Sequence, residues 1–115
     1  MSPLAQLIYT YLVSRLLADP QSWVNYRQIA LHLRPQLRLS WRGGAMHAAL
    51  GELVEWCQIR GIGAIPAIVI RAVDGHPGRG FFPIAFPGIA DQRELLRLWE
   101  QEVEYVRQTV YPLAP

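Results

Sequence analysis

The sequence has no lysine, so all eleven Lys/Arg positions are arginine. A GC-rich genome would produce this bias, and we favour that interpretation of the count. The other interpretation is that arginine suits contacts with phosphates and base edges. The placement of the arginines is more informative than their number. No acidic residue occurs from position 20 to 51, a stretch that contains Arg27, Arg34, Arg38 and Arg42.

Acidic residues are concentrated instead between positions 91 and 104, at Asp91, Glu94, Glu100, Glu102 and Glu104. The net charge of +2 therefore conceals a basic front and an acidic tail. Such an asymmetry indicates an anionic partner.

Cysteine is nearly absent, since Cys57 is the single one in the chain. One cysteine excludes an internal disulfide and a zinc site built from several cysteines. Cys57 falls on the apolar side of a predicted helix, where a thiol behaves as a small hydrophobic group. The histidines (His32, His47 and His76) have no carboxylate or cysteine at metal-ligand spacing. We therefore predict no metal and no cofactor.

Long apolar runs are also missing, because none approaches the ~20 residues needed to span a bilayer. The first charged residue is Arg15, which lies deep in a helical pattern, so the start does not read as a signal peptide. These features predict a cytoplasmic protein with no membrane partner. The length of 115 residues suits a single domain over positions 1–115.

Local patterns predict three helices in the first half of the chain. Ser2 and Pro3 form a helix start, and Asp19-Pro20 forms its end. A short strand is expected near Trp23-Val24. Asn25, with Gln28 three residues on, predicts a capping box for a second helix that closes at Pro35. A third helix is expected from Ser40 to about Arg60, with Ala45, Ala49, Leu53, Trp56 and Cys57 facing inward and Gly61 as its stop.

The second half predicts a β-hairpin and one more helix. Residues 65–73 form an apolar, β-branched run, 74–80 form a glycine-rich loop, and 81–86 form a second strand. Asp91 would cap the last helix, with Glu94 at the capping-box position. This order predicts an α+β fold: a small winged-helix-like domain with three helices, a β-hairpin wing and a C-terminal helix.

Several short segments resemble a known family. These are "NYRQIALHL" (25–33), "RGGAM" (42–46), "IPAIVIRAVDG" (65–75), "GRGFF" (78–82) and "LLRLWEQE" (95–102). Together they resemble the C-terminal DNA-binding domain of alkylguanine-DNA alkyltransferases and the alkyltransferase-like proteins. The resemblance covers roughly residues 24–104 and implies a helix-turn-helix that binds DNA.

The departures from that family concern its chemistry. Matching Pro66 to the proline of the family's reactive Pro-Cys-His-Arg motif puts Ala67 at the reactive cysteine. Ile68 and Val69 stand where the histidine and arginine would follow. Arg42 is the nearest counterpart of the family's base-displacing arginine, but it is out of register. The resemblance therefore implies a non-enzymatic protein, because the thiolate nucleophile and its activating imidazole are missing.

Eight residues are candidates for nucleic-acid contact. The three arginines around the third helix would bind phosphates or be solvated in a connector, two alternatives of equal weight. The small residues at the start of that helix would allow close approach of a DNA backbone or of another helix. The loop at 74–80 would cradle a phosphate or be a plain turn. The set is Arg34, Arg38, Arg42, Gly43, Gly44, His47, His76 and Arg79.

Two functions remain open at this stage. The first is non-catalytic binding of nucleic acid, with duplex DNA as the expected partner. The alternative is a small protein–protein interaction module (an accessory, immunity or regulatory partner), favoured by the low net charge and by Trp23, Trp41 and Tyr105. The C-terminal helix could also support a homodimer. Arginines paired with Glu52, Glu55 or Glu94 would favour the protein partner, whereas one continuous basic surface would favour DNA.

Overall fold

A computed structural model describes residues 1–34 and 44–115 of the chain. Within those ranges it contains five α-helices, one 3-10 helix and two short strands. The elements are α1 (Pro3–Ala18), β1 (Val24–Asn25), α2 (Tyr26–Leu33), α3 (Gly44–Ile59), the 3-10 helix (Ile65–Ile68), β2 (Val69–Ile70), α4 (Phe81–Ala85) and α5 (Gln92–Gln108). The protein is thus a small, mostly helical α+β domain.

The helix ends follow the local signals closely. The Ser2 hydroxyl accepts the N–H of Ala5 at 3.2 Å. The capping box of α2 is complete, because the Asn25 side chain accepts the Gln28 N–H and the Gln28 side chain accepts the Asn25 N–H, both at 2.8 Å. Gly61 takes a φ of 66° two residues after α3 ends, as a helix-stopping glycine should. These predictions are confirmed.

The start of α5 differs in one detail. The Asp91 carboxylate accepts the Arg93 N–H at 2.9 Å, so the predicted cap is confirmed. Glu94 does not complete a capping box, because its carboxylate pairs with Arg97 one turn further on, at 2.5 Å. The predicted ends at Pro35 and Ser40 lie outside the described residues.

A single hydrophobic core joins all the elements. It contains residues with no exposed surface from α1, α2, α3 and the 3-10 helix, among them Ile8, Leu12, Ile29, Leu53 and Ile65. Burial of a Leu or Ile side chain contributes about 1.5–3 kcal/mol, so this cluster is the main source of stability. The 3-10 helix lies between α3 and α5, and its Ala67 carbonyl accepts the Trp99 indole N–H at 2.8 Å.

The two strands form a parallel pair, with Val24 opposite Val69 and Asn25 opposite Ile70. Parallel strands need a long crossover connection, which α2, α3 and the 3-10 helix supply here. The pair therefore ties the beginning of the chain to its middle.

The predicted β-hairpin wing is wrong for residues 65–86. Residues 65–68 form the 3-10 helix, in which the Ala67 N–H bonds the Ala64 carbonyl at 2.8 Å. Only Val69 and Ile70 are extended, and they pair with β1. Residues 81–85 form α4 instead of a second strand. The apolar run at 65–69 is buried on every side, so it never needed the alternation of a half-exposed strand.

The sequence of α4 contains a helical signal that the hairpin interpretation overlooked. Phe81 and Ala85 are four residues apart and are the two buried residues of this helix. Pro83 lies within its first turn, where a missing N–H costs nothing.

Candidate nucleic-acid interface

The N-terminal end of α3 presents small side chains to solvent. Gly44, Ala45, His47 and Ala48 are exposed, while Met46 is fully buried. The prediction that Ala45 faces inward is therefore wrong, because the larger Met46 takes the core position. The exposed face combines three residues without bulky side chains and one histidine.

Gly51, further along α3, has a different role from the exposed small residues at the start of this helix. A Cβ atom added at Gly51 would lie 2.7 Å from Ile84 Cδ1, so this glycine allows close packing of α3 against α4. A Cβ added at Gly44 would meet nothing within 4 Å. Helix packing thus explains Gly51, whereas it does not explain Gly44.

Loop 74–80 is folded back toward α2 and α3. The Gly78 N–H donates to the Tyr26 hydroxyl at 2.7 Å. A Cβ at Gly78 would lie 2.5 Å from that hydroxyl oxygen, so a side chain here would displace Tyr26 and break this hydrogen bond. The Tyr26 ring lies 5.6 Å from the His47 ring. Burial raises the pKa of Tyr26, which keeps the phenol neutral and able to donate a hydrogen bond.

Tyr26 lines a small cleft of about 170 Å³. His47 of α3 and Gly80 of the loop line the same cleft, together with Pro66 and Phe81. Two segments that are far apart in the sequence, and that were both predicted to touch nucleic acid, therefore meet at one place. Arg79, next to Gly80, is exposed.

The other predicted contact residues do not gather at the Tyr26 cleft. Arg34 is exposed directly after α2. His76 is half-buried and packs edge-on against Trp99 of α5, with 5.8 Å between the ring centres. His76 does not line the Tyr26 cleft but a separate groove. Arg38, Arg42 and Gly43 lie outside the described residues.

Among the described residues, Glu52 and Glu94 bind other partners and Glu55 forms no ion pair. Glu52 accepts the Ser2 N–H at 2.5 Å and the Ser2 hydroxyl at 2.7 Å. Within residues 1–34 and 44–115, neither Arg34 nor Arg79 forms an ion pair. Arg71, which also lies near this loop, pairs with Asp74.

Neither Arg27 nor Tyr26 was among the predicted contact residues. Arg27 is exposed on α2 and forms no ion pair within the described part of the chain. Its place in the stretch without acids was a usable signal. Tyr26 gave no signal as a contact centre, because its bond to Gly78 arises only when the loop folds back.

The two positions relevant to nucleophilic chemistry are both buried. Ala67 has no exposed surface, and a methyl group provides no nucleophile. Cys57 is also fully buried, and burial raises the pKa of its thiol to about 11. The thiol is therefore protonated at neutral pH, which is the unreactive form.

No helix within the described ranges is long and apolar enough to cross a bilayer. Comparisons with models of protein families, with curated proteins and with solved structures find no match for this chain.

Proposed function

We propose that this chain is a non-catalytic nucleic-acid-binding protein that contacts duplex DNA around the exposed start of α3. The observation that carries the proposal is the meeting of His47 and loop 78–80 at Tyr26. Arg34 and Arg79 are exposed and form no ion pair with any described residue, which leaves their charges available to phosphates.

Each feature of this surface suits a contact with a polyanion. The N-terminus of a helix carries a partial positive charge and free N–H groups, both of which favour phosphate. Gly44 and Ala45 allow a sugar-phosphate backbone to approach α3 closely. His47 would contact a groove edge, while the arginines on either side would bind phosphates and set the orientation.

We also propose that α2 and α3 form a helix-turn-helix related to that of the alkyltransferase-like proteins. Loop 74–80 would then take the place of a wing beside the recognition helix. The buried Ala67 and the protonated Cys57 support a binding role without alkyl transfer.

Duplex binding can be tested by fluorescence anisotropy with a labelled duplex of about 20 base pairs in low salt. We expect micromolar or tighter binding, with a log–log salt slope that falls by roughly 0.9 for each phosphate contact removed. Arg34→Gln with Arg79→Gln should lower both affinity and slope, and Arg38→Ala with Arg42→Ala should abolish binding.

Arg93→Gln is the matched control, because Arg93 is exposed at the start of α5 and lies away from the Tyr26 cleft. Its affinity should match that of the unsubstituted chain. Its log–log salt slope should differ by less than about 0.9, the value for one phosphate contact. Absence of binding to duplex and single-stranded DNA at low salt would reject the proposal. The assigned surface would be rejected if Arg93→Gln lost as much affinity and salt dependence as the double variants Arg34→Gln with Arg79→Gln and Arg38→Ala with Arg42→Ala.

A further inference from the structure

A second, larger concavity lies beside the Tyr26 cleft. It is an open groove of about 930 Å³. Its lining comes from loop 71–79, α4, the segment 86–90 and the first turns of α5. Its wall contains the partly buried rings of Phe82 and Phe86 together with Ile89, which is 37% exposed, and Leu96. Concave sites that combine apolar rings with a few polar groups, as this lining does, are typical of ligand-binding clefts.

The formally charged side chains in the lining of this groove are arginines. Arg71, His76 and Arg79 line it, and no carboxylate is among the described residues of its lining. Asp74 binds Arg71 from outside the lining, and Arg79 forms no ion pair within the described part of the chain. An occupant with negative groups at its edge and apolar groups at its centre would complement this surface.

Loop 71–76, which forms part of the groove, is ordered by hydrogen bonds within itself. The Arg71 N–H donates to the His76 carbonyl at 2.8 Å, and the Asp74 carboxylate accepts the His76 N–H at 3.0 Å. Pro83 and Pro87 restrict the opposite wall. A preformed groove lowers the entropic cost of binding, because little of the protein must be ordered.

We propose that this groove binds a short acidic segment of a partner protein, with leucine, isoleucine or phenylalanine anchors on its floor. The volume lies at the upper end of the range for small ligands, about 300–1,000 Å³, and the groove is open along one side, which suits a peptide. Single-stranded nucleic acid is the competing occupant. Phe82 and Phe86 could stack bases, but the described lining has only two arginines to follow a phosphate backbone, and one of them, Arg71, is paired with Asp74.

The partner class can be identified by selecting peptides from a displayed library of random dodecapeptides on the immobilised full chain. We expect the enriched sequences to combine Asp or Glu with large apolar residues. One enriched peptide, synthesised with a fluorophore, then serves as the probe for anisotropy measurements. Failure to enrich any peptide over an empty surface would overturn the proposal.

Two matched pairs of variants locate the binding. Ile89→Asp should weaken the peptide at least about tenfold, because it removes an apolar contact and adds a repelling charge. Ile59→Asp changes the same residue type at a site that is 82% exposed and outside the groove, and should leave binding within about twofold.

Arg79→Gln should weaken binding about threefold, while Arg93→Gln should not. Equal effects within either pair would overturn the assignment.

A competition experiment separates the two kinds of partner. An oligothymidine that displaces the peptide, and that itself loses affinity in Ile89→Asp, would assign the groove to nucleic acid and overturn the proposal. Duplex binding at α3 should be unchanged by Ile89→Asp, because Ile89 does not line the Tyr26 cleft. The two proposals can therefore fail independently, and circular dichroism of each variant verifies that the fold is retained.

Discussion

Single residues decide what chemistry this protein can carry out. The chain has one thiol, that of Cys57, and burial raises its pKa to about 11. The position that the family resemblance pairs with a reactive cysteine is Ala67, whose carbonyl is used by Trp99. The interpretation of Cys57 as a core residue is confirmed by its complete burial. Nothing in the sequence alone could have measured that burial.

The state of Cys57 leads to a prediction about thiol reactivity. At about pH 8 the native thiol should react with Ellman's reagent at least 100-fold more slowly than the unfolded thiol, since two pKa units separate about 11 from the ordinary value of 9.0. Stopped-flow absorbance with and without denaturant measures the ratio. Similar rates in the two states would contradict the buried, protonated thiol.

At the scale of elements, α5 shows how a helix is fastened to an irregular segment. Its buried residues, Leu95, Trp99, Val103 and Val106, form one apolar stripe. Glu102 accepts the Ala64 N–H at 2.9 Å, and Thr109 accepts the Gly63 N–H at 3.2 Å. Because the stripe covers the core, a homodimer through α5 would have to use its polar face and stays a prediction.

Gly63 provides a test of this attachment. A Cβ at Gly63 would lie 2.7 Å from the Val106 nitrogen and 2.8 Å from its Cα, both of which are backbone atoms that cannot move aside. Gly63→Ala should therefore lower the free energy of unfolding by about 2 kcal/mol or more. Urea denaturation followed by tryptophan fluorescence measures the change.

The control for Gly63 is Gly80→Ala, since a Cβ at Gly80 would meet nothing within 4 Å and its φ is −70°. That substitution should alter the free energy of unfolding by less than about 1 kcal/mol. If both alanine variants were equally stable, the close approach of residue 63 to α5 would be disproved.

At the scale of the whole molecule, three carboxylates are hydrogen-bonded in the fold, and one of them, Glu52, joins distant elements. Hydrogen bonds from Ser2 lower the pKa of Glu52, which joins α1 to α3. The His76 N–H, with Arg71, lowers the pKa of Asp74, and Arg97 lowers that of Glu94. A carboxyl group whose pKa is lower when folded stabilises the protein above its unfolded pKa and loses that contribution as the pH falls.

We therefore expect stability to fall as the pH drops below the ordinary carboxyl pKa values of 4.5 and 3.8. Glu52→Gln should reduce the steepness of this fall, because its side chain no longer titrates. Urea denaturation at a series of pH values tests both statements. A free energy of unfolding that stays level down to about pH 3 would contradict them.

The local signals in the sequence determined the helix ends, because caps such as Asn25 with Gln28 are made by residues three positions apart. The basic stretch that contributes Arg34 to the proposed DNA surface is likewise visible in the sequence alone. The tertiary structure decided the rest. Residues 65–70 could pair as a hairpin or with β1, and burial on all sides selected the 3-10 helix and the parallel pair. The Tyr26 cleft likewise exists only because Gly78 meets a hydroxyl from a distant helix, a contact that no local pattern encodes.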